Sequence, residues 1–413
     1  MAKLALIADD LTGAADGGVQ FAKRGFSTVM LVDHGSVSDA EVVIVDTESR
    51  ADPPETARAK VHAAASSLPP VELIYKKIDS MLRGNVGTEL EAIMEARHIA
   101  RSVVAPAFPA TGRTTVGGQQ LLNGQPLEET AFAQDPLCPI ADSYIPALLG
   151  RQMRREVGLI ELALVREGVE VLTKAMRGRG EAVLVVDATT EEDLRTVAHA
   201  AAKADLAHLT CGSAGLADAV AEVMLLGHVA SATPKMAEAV GADAPVLVVA
   251  ASRTPLTGLQ LSRAAQEMGL AVLPVDTEGL AADVSAEICR LVAQAGECLS
   301  AGRSVALSAV DSPYVVGLSC SLAEALGEMA ARLVSRHMLA GLVLTGGDVA
   351  LAVCRALGAT ALSLIEEVAP GIPLGRIRGG PQAGLPLVTK AGGFGQEEAI
   401  VTAIRHLRGA IPS

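Results

Sequence analysis

Two aspartates, Asp9 and Asp10, stand side by side directly after the short apolar run 4–8. Adjacent carboxylates at the end of a strand can bind substrate hydroxyls, hold a metal ion or take up a proton. The plainer task is to cap the helix that follows, but one cap accounts for one aspartate and leaves the other to function. Asp46-Thr47-Glu48-Ser49-Arg50 ends a second apolar run, and a third leads into Lys76-Lys77-Ile78-Asp79-Ser80-Met81-Leu82-Arg83-Gly84-Asn85. Taken singly, Arg50, Lys77 and Arg83 are solvated surface charges. Gathered at the ends of neighbouring strands they form a pocket for an anion, and arginine can grip a carboxylate with a paired fork of hydrogen bonds. Further on, Gly112-Arg113-Thr114-Thr115 offers hydroxyls and another guanidinium, or is simply part of a long connecting loop.

The second half carries a different kind of signal. In Leu344-Thr345-Gly346-Gly347-Asp348-Val349 a glycine pair separates a predicted strand from a helix. Glycine lets the main chain approach a phosphate closely, and the helix start supplies N–H donors and the positive end of a dipole. Asp348 would cap that helix or face a transferred phosphoryl group. Lys390-Ala391-Gly392-Gly393-Phe394-Gly395 repeats the arrangement before the last helix, and Ser252-Arg253 supplies a hydroxyl and a guanidinium after another strand. One glycine pair means little, since glycine ends many helices; two at strand–helix junctions of one domain point to a nucleotide site. No Gly-Lys dipeptide occurs, so there is no Walker loop. Gly13, Gly17 and Gly18 do not fit the dinucleotide-binding fingerprint. Cys211-Gly212-Ser213-Ala214-Gly215 lacks the first glycine of a nucleophile elbow and reads as a helix-start turn.

These residues are positioned by an alternation of short apolar runs and helical stretches. Residues 4–8, 28–32, 42–45, 73–76, 102–105 and 183–186 are predicted strands, with helices over 14–24, 53–66, 86–96 and 191–204. The series resumes with strands at 246–250, 271–275, 304–307, 342–344 and 387–388. Its helices are expected over 256–268, 284–301, 315–340, 349–357 and 396–407. The fold class is α/β: two domains, each a mainly parallel sheet flanked by helices. A texture of Gly, Ala, Ser, Thr and Pro over 227–244 marks the linker and divides a domain 1–228 from a domain 229–413.

Composition narrows the partners. With 413 residues, 50% of them apolar, the chain suits two buried cores and excludes disorder. A net charge of −13 repels phosphate backbones and anionic lipid, so neither nucleic acid nor membrane is an expected partner, and any anion must meet a local basic cluster. The six cysteines include no C-x-x-C pair and are expected as reduced core thiols. The eight histidines include no metal-ligand spacing, so no protein metal site is expected. The apolar run after Lys3 is too short for a signal peptide, and no run has the length of a membrane span, so a cytoplasmic location is expected.

At this point the residues form a pattern. Ile7-Ala8-Asp9-Asp10-Leu11-Thr12-Gly13-Ala14, the segments 46–50 and 76–85, and Gly112-Arg113-Thr114-Thr115 closely resemble the four-carbon acid sugar kinase family. So do the segments 344–348 and 390–395 and Val368-Ala369-Pro370-Gly371-Ile372-Pro373, in order along nearly the whole chain. The resemblance implies a sugar-acid-binding domain followed by a nucleotide-binding domain, with the active site in the cleft between them. Carried over by motif, Asp10, Arg50, Lys77, Asp79, Ser80, Leu82, Arg83, Gly84 and Asn85 would bind the sugar acid. Ser252, Gly346, Gly347, Asp348, Gly392 and Gly393 would bind ATP, with Mg²⁺ offsetting its charge. The activity implied is phosphorylation of the acid's terminal (4-) hydroxyl, with Asp348 or Asp10 orienting or deprotonating it. The wording Thr-Glu-Ser-Arg and Lys-Lys-Ile-Asp-Ser is most similar to the family's D-threonate kinases, with D-erythronate and 3-oxo-tetronate as alternative acceptors. Leu11 stands where many members have Phe, and Met81-Leu82 replaces the more usual Thr-Phe; both changes adjoin the substrate segment.

Two rival functions belong to other classes. An NAD-dependent hydroxy-acid dehydrogenase would share the α/β texture and the acid pocket but needs the missing fingerprint. A non-enzymic sugar-acid sensor would leave both glycine turns without a task. A homo-oligomer is left open by the sequence.

Overall fold

The computed structural model describes residues 2–33, 39–130, 133, 138–140, 142–225, 244–315 and 317–409. The chain divides into two compact units: Met1–Val29 with Val37–Thr233, and Met30–Ser36 with Pro234–Ser413. The expected linker lies largely among residues 226–243, outside the described residues.

In the first unit seven parallel strands lie side by side in the order Val42–Asp46, Leu4–Ala8, Leu73–Lys77, Leu209–Gly212, Ser102–Ala105, Val183–Val186 and Val157–Ile160. Leu4, Leu6, Ile7, Ile44 and Tyr75 are buried throughout. Near-continuous apolar strands of this kind need cover on both faces, which the helices supply. Phe21, on the helix Leu11–Ala22, packs edge-on against both Phe26 and Tyr75.

The second unit has five parallel strands in the order Ala271–Pro274, Val305–Ser308, Val246–Ala250, Gly341–Thr345 and Pro386–Lys390. Two antiparallel strands, Ile372–Arg378 and Ala361–Ala369, continue the sheet beyond Pro386–Lys390. Val246, Val248, Val343 and Val388 pack with Ile400 and Ile404 of the helix Ala399–Leu407 in its core.

Several expectations are corrected. The helix-start turn read at 211–215 does lead into the helix Ala214–Leu225, but the central strand Leu209–Gly212 before it was not foreseen. A Cβ at Gly212 would lie 2.5 Å from the Ala105 carbonyl, so glycine is what admits this strand beside its neighbour. The strands Val157–Ile160, Ala361–Ala369 and Ile372–Arg378 and the hairpin Arg113–Val116 with Gln119–Leu122 were not foreseen. The helix expected over 315–340 occupies only Ser319–Val334. Of the six free cysteines only Cys211 and Cys354 are buried; Cys289 and Cys320 are exposed.

Candidate functional site

The parallel sheet of the first unit brings its predicted residues to one edge. Ala8 is in register with Asp46 on one side and Lys77 on the other, so the loops 9–10, 47–50 and 78–85 emerge together. Asp10 is the cap of the helix Leu11–Ala22, accepting from the Gly13 amide at 3.0 Å and from Thr12 Oγ1 at 2.6 Å. A Cβ at Gly13 would collide with Asp10 Oδ1; the same point is 3.4 Å from Lys77 Nζ and 3.5 Å from Arg50 Nη2, which marks how closely these charges converge.

Arg50 does not offer its Nε–Nη2 fork to a ligand. That edge donates to Asp9, Nε to Oδ2 at 2.8 Å and Nη2 to Oδ1 at 2.9 Å, and Nη2 also reaches Asp10 Oδ1 at 2.5 Å. Asp9 is nearly fully buried, and a buried carboxylate without a cation would be costly. Burial alone would raise its pKa, but Arg50 and Lys76 outweigh that and hold it below the usual carboxylate range. Asp79 behaves alike: burial opposes ionisation, and Arg83 and then Arg50 overcome it, leaving the pKa well lowered. Arg83 Nε donates to Asp79 Oδ2 at 2.5 Å.

The segment 78–85 is held in an unusual backbone path. Leu82 and Gly84 both take positive φ, +61° and +90°, and a Cβ at Gly84 would lie 3.1 Å from the Arg50 carbonyl. Asn85 Nδ2 donates to the Asp52 carbonyl at 2.9 Å, tying this segment to the loop that carries Arg50. Lys77 is buried, with Nζ donating to the Ile78 carbonyl at 3.0 Å and standing 3.9 Å from Asp16. Ser80 Oγ is buried without a hydrogen-bond partner among the described residues. Arg50, Leu82, Gly84 and Asn85 also border a cavity of about 290 Å³, which Arg151 and Gln152 help to line. Asp10, Lys77, Asp79 and Ser80 stand outside that cavity.

The sequence reading assigned no role in this site to Lys76, Glu89 or Asp46, and offered Arg113 only as a further guanidinium or part of a loop. Lys76 and Glu89 form a fully buried ion pair at 2.5 Å, and Glu89 also accepts from Ser49 Oγ at 2.7 Å, directly before Arg50. An alternating pattern would have pointed Lys76 into the core, and no local signal distinguishes such a lysine from a surface one. Arg113 is buried at the start of its hairpin; burial lowers its pKa while Asp79 and Asp16 draw it upward, so it faces the same charges. Its Gly-Arg-Thr-Thr setting was the available signal. Asp46 has the opposite character: it is buried, its Oδ2 has no partner among the described residues, and burial, reinforced by Asp10, Glu48 and Asp9, raises its pKa well above normal.

In the second unit, the loops after Val246–Ala250, Gly341–Thr345 and Pro386–Lys390 also emerge side by side, because Thr345 is in register with both Ala250 and Lys390. Gly346 has φ +103°, a conformation closed to most side chains, and precedes the helix Gly347–Ala356. A Cβ on Gly346 would be 4.0 Å from the Ser252 amide, whereas one on Gly392 would collide with Ser252 Oγ and lie 2.8 Å from its Cβ. Ser252, the turn 346–348 and the glycines 392–393 are therefore one cluster. Asp348 is exposed in the first turn of its helix. Thr254 Oγ1 and Thr257 Oγ1 donate to the Gly392 carbonyl at 2.9 and 3.3 Å. Lys390 is buried behind this loop, and burial pushes its pKa down to about 8. The cluster presents main-chain N–H groups at a helix start, the usual way to hold phosphate.

Comparison with known proteins agrees with this division. A profile for a sugar-binding N-terminal domain matches residues 4–220, and one for a nucleotide-binding C-terminal domain matches residues 247–400. The chain is 36% identical to the D-threonate kinase of Salmonella typhimurium, over 98% of each chain. It is 33% identical to the D-erythronate kinase of Heliobacterium modesticaldum, over 98% of this chain and 97% of that one. Among solved structures, a Salmonella typhimurium LT2 protein shares the fold at a TM-score of 0.81 and 23% identity, covering 98% of this chain and 100% of that one. A Bordetella bronchiseptica protein, 34% identical over the whole of both chains with a TM-score of 0.50, was crystallised with bound citrate as a domain-swapped dimer. Among the described residues no helix is long and apolar enough to cross a membrane.

Proposed function

We propose that this chain, which belongs to the four-carbon acid sugar kinase family, phosphorylates the terminal hydroxyl of D-threonate with ATP to give 4-phospho-D-threonate. It is a sugar-acid kinase; the finer assignments are the acceptor, the donor and the residue roles. The observations that carry them are a charged cluster within the first unit and, separately, a main-chain amide cluster within the second. Citrate bound to the Bordetella bronchiseptica relative supports a small organic acid as the ligand class. The dehydrogenase reading shares the α/β texture and the acid pocket but lacks the dinucleotide fingerprint, and the relatives are named kinases.

The sugar-acid part is taken as 1–228 and the nucleotide part as 229–413. The acid's carboxylate meets the cationic groups of Lys77 and Arg83 and the Nη1 side of Arg50, whose other edge is held by Asp9. Asp10 uses both carboxylate oxygens on the helix cap and Arg50, which suits it to fixing the acid's hydroxyls. Asp348 is then the group that orients or deprotonates the attacking hydroxyl. Ser252, Gly346, Gly347, Gly392 and Gly393 hold the ATP phosphates, a task of positioning and charge stabilisation. Among the described residues no three His, Cys, Asp or Glu side chains are grouped to hold a metal. A Mg²⁺ ion carried in with the nucleotide would be held beside Ser252, Gly346, Gly347, Gly392 and Gly393 and would supply charge neutralisation there.

The test is a coupled ADP-release assay over D-threonate, D-erythronate, their enantiomers and 3-oxo-tetronate. D-threonate should give the highest kcat/KM; preference for another acid would replace the acceptor and leave the kinase standing. Asp348→Asn should lower kcat by about 10²–10⁴-fold with little change in either KM, and unchanged turnover would remove Asp348 from the role.

A further inference from the structure

Lys390 ends the strand Pro386–Lys390 with its side chain buried. Its Nζ donates to three carbonyls of the loop that follows: Ala391 at 2.9 Å, Gly392 at 3.1 Å and Phe394 at 3.2 Å. An ammonium group has three hydrogens, so all are used within one turn of chain. In a trans peptide the C=O and the next N–H point in opposite directions. Turning the Ala391 and Gly392 carbonyls toward Nζ therefore turns the Gly392 and Gly393 amides away from it. Neither amide finds an acceptor among the described residues. Thr254 and Thr257 fix the Gly392 carbonyl from the other side, and Gln260 Nε2 holds the Phe394 and Gln396 carbonyls at 3.1 and 2.8 Å.

We infer that Lys390 is a positioning residue for the phosphoryl donor: a tethered internal cation that gathers the carbonyls of the 391–394 loop and so aims its glycine amides at the nucleotide phosphates. This rests on reading the second unit as the donor site and goes beyond it, because Lys390 itself touches no ligand. The arrangement does what a bound monovalent cation ringed by carbonyl oxygens does, but the cation cannot leave. Its positive charge also stands directly behind amides that face a polyanion, and both effects favour the phosphates.

The ammonium form is what the device needs, since a neutral amine loses one donor and the charge. Burial alone lowers the Lys390 pKa, with no charged neighbour contributing. The elements packed around it bring Thr254, Thr257 and Gln260; in the neighbouring strand Ile372–Arg378, Arg376 pairs with Pro386 at the far end. Arg253, Asp348, Glu397 and Glu398, the other ionisable groups of the surrounding loops, are exposed. A polyphosphate placed before the loop favours the charged lysine, so nucleotide binding should draw in a proton above about pH 8 and not below it.

The experiment is calorimetric titration of the intact enzyme with ADP, in buffers of different ionisation enthalpy, at about pH 7 and about pH 9. KM values for ATP and the acid are measured alongside on wild type, Lys390→Met and Lys390→Arg. Wild type should take up a proton fraction at the higher pH alone. Lys390→Met should bind ADP about 10-fold more weakly, leave the acid's KM within about 2-fold and lose the uptake. Lys390→Arg should restore part of the affinity without the uptake, because a guanidinium does not titrate there. If wild type binds ADP without proton uptake, or Lys390→Met weakens acid and nucleotide alike, the inference falls and the donor site stands. If wild type binds no ADP at any pH, both fall. Should Lys390→Met not fold, the wild-type proton count alone decides.

Discussion

The two clusters are built by opposite means. In the first unit the cluster is built from side-chain charges that neutralise one another: Arg50 is shared by Asp9 and Asp10, while Arg83 pairs with Asp79 and Lys76 with Glu89. In the second it is built from glycine amides, with one buried lysine behind them. A small acid with several hydroxyls needs charges fixed at particular points, and a web of ion pairs fixes them. A phosphate tail needs donors at close range, and bare main chain reaches closer than any side chain. The first design ties binding to the stability of the fold; the second ties it to backbone shape.

Removing Arg50 strains that contrast most. Arg50→Ala leaves Asp9 buried without its cation, and should destabilise the chain by about 3 kcal/mol and raise the acid's KM strongly while ATP binding stays near normal. Thermal denaturation and the two KM values check it; an effect on ATP alone would mean the anion pocket is misassigned. Gly392→Ala should do the reverse. Its methyl group would press on Ser252, costing about 1–3 kcal/mol at most and raising the ATP KM while sparing the acid's. Equal losses for both ligands would erase the distinction between the clusters.

The smallest effect concerns Asp46. Its folded pKa lies above the unfolded value, so the native state binds more protons and stability falls as pH rises from about 4 through the folded pKa. Asp46→Asn mimics the neutral acid and keeps the acceptor for the Glu48 amide. It should flatten that decline and gain about 1 kcal/mol at neutral pH, read from Tm against pH. A variant whose Tm falls with pH as steeply as wild type would show that Asp46 is not the group responsible.

Most of this architecture was legible because parallel strands are apolar on both faces. Runs such as Leu4–Ala8 and Val246–Ala250 announce themselves, and the residues after them are the ones the sheets gather. The missed strands lack that property. Ala361–Ala369 carries Glu366 and Glu367, and Ile372–Arg378 carries Pro373, Gly375 and two arginines, since an antiparallel pair can leave one face wet. Leu209–Gly212 hid because its glycine, required by the Ala105 carbonyl, resembles a turn. The site residues were found by type and position, but not their partners. That Asp10 caps a helix while gripping Arg50, or that Lys76 faces inward to Glu89, depends on residues about 10 to 40 positions apart meeting in space, which no local spacing encodes.

Gly392 leaves no room for a methyl group against Ser252, and Gly346 sits where few other residues can. Most single substitutions at such positions would have to move the main chain or a neighbouring side chain. Change at these glycines is thus limited by space and backbone conformation, whereas change in the ion-paired cluster of the first unit is limited by the charge each partner would leave buried.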